Sequence, residues 1–568
     1  MITPNRKTAG PYVEHAGGRA DDSSAGSAVA IHHLVPVPVL AVCCALATTV
    51  LSWLMGCGQS LWFDEQYSLI LTSRPVRELI ALTAVDAHPP LYYLLLKAWM
   101  PVAGDDVALM RMPNCACLGL AVFVLVMLMR DLFGDRVAAA CMPMLMCGGF
   151  MLRYGYELRM YSPAMLLAVG GTAMLLRAVG VIASRDRQHC VVDAAEVDRH
   201  DRRCDRCRSH DRQRRIVWWA AYAVAVTLGM LTLYLTAFVW LTHAIWLAAR
   251  SWRMRSPSTW RWLFAYIASV TLFLPWMPVL LGQLGGSSVL PPVRRRSNMS
   301  GVANAFDIML LGMTEKELPS IVSLLVAATM TLIVGIFVAV WLSAWQQSVG
   351  TLTSRQSAEA AWLIVMLFAV PTMLLMVWSA VKELSSGGYG MFSVRYLSVV
   401  APFFYVTLVL ACVIAYRLRG RRAAIVYVVV LAMLVAGTIV YGVRGNHSFD
   451  RNDTPGSAQL SQHVVCSAER PVVAQDEYTY IDAYWYYRDC PYYYFLDADD
   501  VPTRGGYVPL HDSTAQLRTI TDLDAQQFTL LSWSTTRHYG RLLGDAAGQW
   551  TQTGIITRDA NASIAYRR

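Results

Sequence analysis

The sequence predicts a mainly α protein: a polytopic membrane bundle of about eleven transmembrane helices with a small α/β domain at its C-terminal end. Three observations lead there. Of 568 residues, 55% are hydrophobic and 15% charged, too apolar a balance for a soluble chain of this size. Apolar runs of roughly 17 to 25 residues, each able to cross a hydrocarbon core of about 30 Å, recur from Leu34 to Tyr441. After Tyr441 they stop, and polar sequence follows, broken by short apolar runs near Val473 and Leu530.

In chain order, residues 1–33 read as a cytoplasmic tail, too polar and charged for a cleaved signal peptide, so the first helix is itself the insertion signal. Residues 34–443 form the transmembrane domain, with crossings centred near Thr48, Val122, Met144, Ala168, Val224, Val239, Leu272, Met330, Phe368, Thr407 and Val430. It includes a long first outer loop, 58–107, and a cytoplasmic loop, 183–215. With the N-terminus inside, Arg130, Arg136, the runs Arg185 to Arg215 and Arg250 to Arg261, and Arg417 to Arg422 all fall on the cytoplasmic side. The formal charge of +9 is then a topology signal and implies no nucleic acid.

An odd number of crossings places 444–568 outside, as an extracytoplasmic α/β domain. Cys466 and Cys490 are the only cysteines in it, and an oxidising compartment would let them pair. Its tyrosines from Tyr478 to Tyr494 can form a packed core, an interfacial belt or a sugar-stacking face. Most of the other cysteines read as small core residues. Cys190, Cys204, Cys207, His200 and His210 include a CDRC with zinc-like spacing, but the arginine-rich, low-complexity flanks read as a disordered link.

No Asp, Glu, Lys or Arg falls in the middle third of any crossing, where transporters and proton pumps usually need them. The chemistry therefore belongs at a membrane surface. Acids, bases and aromatics gather at Leu61 to Ile70, Asp86 to Trp99, Arg153 to Ser162 and Gly390 to Ser398, all on the outer side. Pro89 and Pro90 pin Asp86 and His88 ahead of an apolar helix suited to the interface. Each group also has a plain structural reading: Asp64 and Glu65 as a helix cap, Arg159 and Arg395 as headgroup anchors.

Taken in order, Asp64-Glu65, Asp86 to Tyr93 (D-x-H-P-P-L-Y-Y), Leu109 to Arg111, Glu157 to Tyr161 (E-x-R-M-Y), Pro275-Trp276 and Arg395-Tyr396 resemble the GT-C superfamily of membrane glycosyltransferases. The branch is the one containing protein O-mannosyltransferases and the aminoarabinose transferases of lipid A. The resemblance covers about Leu34 to Tyr416. It departs where many relatives carry Y-x-H, here Tyr234-Leu235-Thr236, unless His243 stands in.

The resemblance implies a polyprenyl-phosphate sugar donor, a glycan, lipid or protein acceptor, and transfer with inversion on the extracytoplasmic face. Asp64 would be the general base, with Glu65 beside it discouraging double ionisation. Arg159 and Arg395 would hold the leaving phosphate, with Arg294 to Arg296 as further cations. Asp86, His88, Tyr93, Glu157, Tyr161 and Tyr396 complete the expected substrate-binding set. A divalent metal is compatible with the superfamily, but no residue pattern here fixes one. The branch and the lack of eukaryotic retrieval signals favour a bacterial cell membrane. The competing classes are a lipid-linked glycan flippase and a non-catalytic envelope scaffold.

Overall fold

The computed structural model describes residues 35–182, 202–254, 260–285, 299–314, 317–322, 324, 326, 355–385, 392–445, 456–496, 507–510, 513–532, 540–558 and 561–568. Among them, eight helices are long and apolar enough to cross a membrane, or nine if one bent pair counts as a span. These nine match nine of the expected crossings. The stretch around Val239 is helical over Thr236–Met254 but, with His243, Arg250 and Arg253 in it, falls short as an apolar span. The crossing near Met330 lies outside the described residues.

The bundle begins with α1 (Val37–Cys57), followed by three short helices, α2 (Phe63–Ser73), α3 (Val76–Val85) and α4 (Leu91–Ala103). The long α5 (Val107–Phe133) returns alongside α1. Gly119 makes that approach close: a Cβ there would collide with the Thr49 side chain and the Ala45 carbonyl, the small-residue contact that membrane helices use to bring backbones together. The bent pair is α6 (Asp135–Met146) and α7 (Gly149–Tyr156), turned by 63° at the break. Next come α8 (Tyr161–Val179), α9 (Arg202–Thr232), α10 (Thr236–Met254), α11 (Trp262–Phe273), α12 (Met277–Gly285) and α13 (Met299–Leu311). The last three long helices are α14 (Arg355–Ser385), α15 (Ala401–Arg419) and α16 (Ala424–Arg444), and a 3-10 turn, Val394–Val400, leads into α15.

The region Arg153 to Ser162, expected as a surface link, is largely interior. Residues 149–156 are helical and buried throughout. The Gly148-Gly149 break explains it: a Cβ on Gly149 would stand 2.8 Å from the Thr438 backbone of α16, so the chain turns and packs α7 against α16 rather than leaving the bundle.

The C-terminal domain holds a six-stranded sheet in the order β3-β2-β1-β4-β6-β5. Strands β1 (Val472–Ala474), β2 (Tyr492–Phe495), β3 (Gln516–Leu517) and β4 (Gln527–Ser532) run parallel, β6 (Asn561–Arg567) pairs antiparallel with β4, and β5 (Thr551–Arg558) pairs antiparallel with β6 at the edge. Of its helices, α17 (Gly456–Ser461) and α18 (Glu477–Tyr487) matter here. Cys466 and Cys490 are disulfide-bonded, with Cα atoms 5.9 Å apart. The tyrosine cluster is mainly core: Tyr480, Tyr487, Tyr492 and Tyr494 are buried, and Tyr480 stacks on Tyr492 at 4.3 Å.

Candidate active site

Helix α2 presents three successive residues in three directions, as a rotation of about 100° per residue requires. Asp64 is the partly exposed one. Its Oδ2 accepts from Arg395 Nη1 at 3.0 Å and lies 3.9 Å from Arg159 Nε. Arg395 arrives on the 3-10 turn before α15, Arg159 on the link between α7 and α8. Two guanidinium groups separated by 236 residues of chain thus converge on one carboxylate. Arg395 lies 5.9 Å over the Trp62 ring and 6.0 Å over Tyr396.

Glu65 does not share that environment. Its side chain is fully buried and takes Arg111 in a two-point grip, Nε to Oε1 at 3.0 Å and Nη2 to Oε2 at 2.6 Å. Oε1 also accepts from Leu158 N and Oε2 from Trp62 N, the latter closing the start of α2 as a capping glutamate does. Arg111 donates onward to the Gly56, Gln59 and Ser60 carbonyls. The expected like-charge pairing of Asp64 with Glu65 is therefore replaced by a division of labour: Glu65 ties α2 to α5 and to the α1 end.

The two ion pairs differ in exchangeability. Side chains 21% and 26% exposed, as in Asp64 and Arg395, form a pair worth ~0–1 kcal/mol net. Breaking a fully buried pair such as Glu65 and Arg111 costs about 3–5 kcal/mol. An incoming anion can displace the first and not the second.

Asp86, His88, Tyr93 and Arg159 form the adjoining chain of contacts. His88 Nδ1 faces Asp86 Oδ2 at 3.3 Å, and His88 Nε2 faces Arg159 Nη2 at 3.4 Å. Because a guanidinium only donates, this geometry calls for the tautomer with the proton on Nδ1, given to Asp86. Burial alone would raise the Asp86 pKa, but the hydrogen bond from His88, with help from the Ala87 backbone and the Arg159 cation, overcomes it and holds the carboxyl below its ordinary value. Arg159 Nη1 donates to the Tyr93 hydroxyl at 3.2 Å and lies 3.4 Å from Ser68 Oγ and from the Asp64 carbonyl. Burial works against the guanidinium, yet Tyr93 and Asp64 outweigh it and hold its pKa well above normal. Burial also pushes the Tyr93 hydroxyl up.

Among the described residues no three His, Cys, Asp or Glu side chains gather as a metal site. Asp86 and His88 are the acid and histidine suited to one, but the imidazole Nε2 faces the Arg159 cation. The described residues around Asp86 and His88 do not fit a metal.

Of the other expected residues, Tyr161 is buried at the start of α8, within electrostatic reach of Arg395, Arg159 and Asp64. Tyr396 flanks Arg395. Glu157 is fully buried and paired with Arg153 Nη2 at 3.7 Å, so it braces the link from within. His243 is no substitute for the missing histidine: it is buried among α8, α9 and α10, bonded to Thr172 Oγ1 and the Tyr222 hydroxyl, each at 3.1 Å. Tyr234 instead accepts from Trp276 Nε1 at 2.8 Å and donates to Gln283, whose amide nitrogen donates to the Thr83 and Ala84 carbonyls at the end of α3, just before Asp86. Arg294 to Arg296 and the segment from Cys190 to His200 lie outside the described residues.

Two contributors went unread in the sequence. Asn114 donates to the Glu157 and Arg159 carbonyls and to the Tyr92 hydroxyl, fixing the link that carries Arg159. Gln66 joins α2 to the C-terminal domain. Neither lies in a motif; a lone buried amide beside a motif is the signal each offered.

The helix bundle, with this site at the end that carries the sheet domain, has a counterpart among solved structures. The chain superposes on the crystal structure of ArnT from Cupriavidus metallidurans in the apo state with a TM-score of 0.55 and 13% identity, covering 93% of this chain and 97% of that one. The same figures hold for ArnT from Cupriavidus metallidurans bound to undecaprenyl phosphate. The likeness is one of fold. No family model and no curated protein matches the sequence.

Proposed function

We propose that the chain is a membrane glycosyltransferase that moves a sugar from a polyprenyl-phosphate donor to an acceptor hydroxyl at the extracytoplasmic face. The convergence of Asp64, Arg159 and Arg395 from three distant segments carries this reading. The structure of the similarly folded ArnT bound to undecaprenyl phosphate supports a polyprenyl-phosphate carrier.

A hydroxyl is a poor nucleophile until a base takes its proton. Asp64 accepts that proton as the acceptor oxygen bonds to the anomeric carbon. The bond from that carbon to the phosphate oxygen breaks on the opposite side, giving inversion, and the lipid phosphate leaves with the electron pair. Arg395 and Arg159 meet the phosphate, because a guanidinium binds phosphate by the same forked geometry as carboxylate. Donor binding then shifts Arg395 from Asp64 to phosphate, freeing the carboxylate when a leaving group is in place. His88 holds Arg159 from behind, and Asp86 holds His88.

The test is sugar transfer in membranes containing Asp64→Asn at wild-type abundance, using the polyprenyl-phosphate sugar pool radiolabelled in the source cells' own membranes. Loss of a general base costs ~100- to 10,000-fold, so transfer should fall by at least ~100-fold. Undiminished transfer would sink the assignment.

A further inference from the structure

Among the contacts between the C-terminal domain and the helix that carries Asp64, a buried amide makes two hydrogen bonds. Gln66, two residues beyond Asp64 on α2, is fully buried. Its Nε2 donates to the Asp482 carbonyl and its Oε1 accepts from Trp485 N at 2.8 Å, so both ends of the carboxamide bind the backbone of α18. Around it, Leu61 N donates to the Tyr486 hydroxyl at 2.8 Å, Phe63 stacks on Tyr478 at 4.7 Å, and Arg74 Nη2 donates to the Pro509 carbonyl at 3.1 Å. Asp482 is held in turn by Ser457 of α17 at 2.7 Å.

We propose that Gln66 is a positioning residue through which the C-terminal domain sets the Asp64 carboxylate against Arg395 and Arg159. The inference rests on the functional reading above. Helix α2 is held on the bundle side by Glu65 with Arg111 and Ser68 with Arg159, and on the C-terminal domain side by Gln66 with α18 and Phe63 on Tyr478, with Asp64 between these contacts. A short helix held on one side only can rock about that side; the polar tie of Gln66 on the other opposes the motion. A carboxamide is the group that can give and accept at once, so glutamate keeps half of the contact and methionine none.

The test compares full-length wild type, Gln66→Met, Gln66→Glu and Asp64→Asn in membranes, with the labelled lipid-phosphate sugar pool as donor. Misplacing a reacting group by about 1 Å costs ~100-fold, so Gln66→Met should lower transfer ~10- to 100-fold and Gln66→Glu less. Per folded molecule, the loss should fall on kcat with KM for the donor unchanged. A merely structural role lowers transfer only in proportion to the folded fraction, and that result overturns the proposal. If Gln66→Met fails to fold, kcat per folded molecule in Gln66→Glu decides alone. If Asp64→Asn is inactive while both Gln66 variants keep the wild-type kcat per folded molecule, positioning by Gln66 fails and the functional reading stands. If Asp64→Asn transfers normally, the functional reading falls and the proposal with it.

Discussion

Asp86 shows how a single buried acid reports on its neighbour. Desolvation favours its neutral form, and the contact with His88 reverses that preference. A folded-state pKa below the unfolded one means that the stabilisation is present above the ordinary carboxylate range and is lost as pH falls through it. Replacing His88 by alanine leaves burial opposed by weaker forces, so the folded pKa of Asp86 rises toward the unfolded one and the stabilisation present at neutral pH shrinks. We expect the Tm of His88→Ala to lie below that of the wild type at neutral pH, with a shallower acid limb and the two curves converging as pH falls through the carboxylate range. Coincident limbs would show that His88 does not support Asp86. The spacing D-x-H was visible in the sequence, but not its direction: that His88 turns its second nitrogen to Arg159 depends on where α7 ends, which no local pattern encodes.

At the scale of the element, α7 matters most. Glu157, Arg159 and Tyr161 sit at a helix junction, as the sequence predicts, yet the run before them, polar enough to resemble a surface link, is a buried helix. What hides Arg153 is tertiary: Glu157 pairs with it, and the Tyr154 ring lies 5.8 Å from its guanidinium. The turn that makes this burial possible is the Gly148-Gly149 break. Gly149→Val would press two methyl groups on the Thr438 backbone of α16 and on the Tyr441 ring, where even a Cβ comes within 2.8 Å and 2.7 Å. Overpacking of this sort costs about 1–3 kcal/mol, and α7 can relieve it only by shifting the link that carries Arg159. The expected outcome is a lower Tm together with weaker binding of undecaprenyl phosphate, measured in detergent. A variant with lowered Tm and unchanged lipid binding would separate α7 from the site. The Gln66 contact was illegible for a different reason: its partner Trp485 lies 419 residues along the chain.

For the whole molecule, the ties between α2 and α18 put the C-terminal domain and the site at one end of the bundle. Arg488, just beyond α18, adds an ion pair to Asp105 at 2.7 Å, at the far end of the same first loop. The basic run Arg417 to Arg422 lies one span away in either direction, between α15 and α16. Positive charge at that turn favours the cytoplasmic side, and the Cys466–Cys490 bridge suits an oxidising compartment. Both arguments favour the proposed orientation, with site and sheet domain outside. They also predict opposite accessibility for two exposed positions: Thr553 on β5 and Arg421 in the basic turn. In intact cells, a thiol introduced as Thr553→Cys should react with a membrane-impermeant maleimide, whereas Arg421→Cys should react only after the membrane is opened. The reverse pattern would put Asp64 and its arginines in the cytoplasm, and labelling of both in intact cells would mean that the turn and the domain are not on opposite sides. Only the first pattern lets the carboxylate meet an acceptor presented outside the membrane while the donor's lipid tail stays in the bilayer.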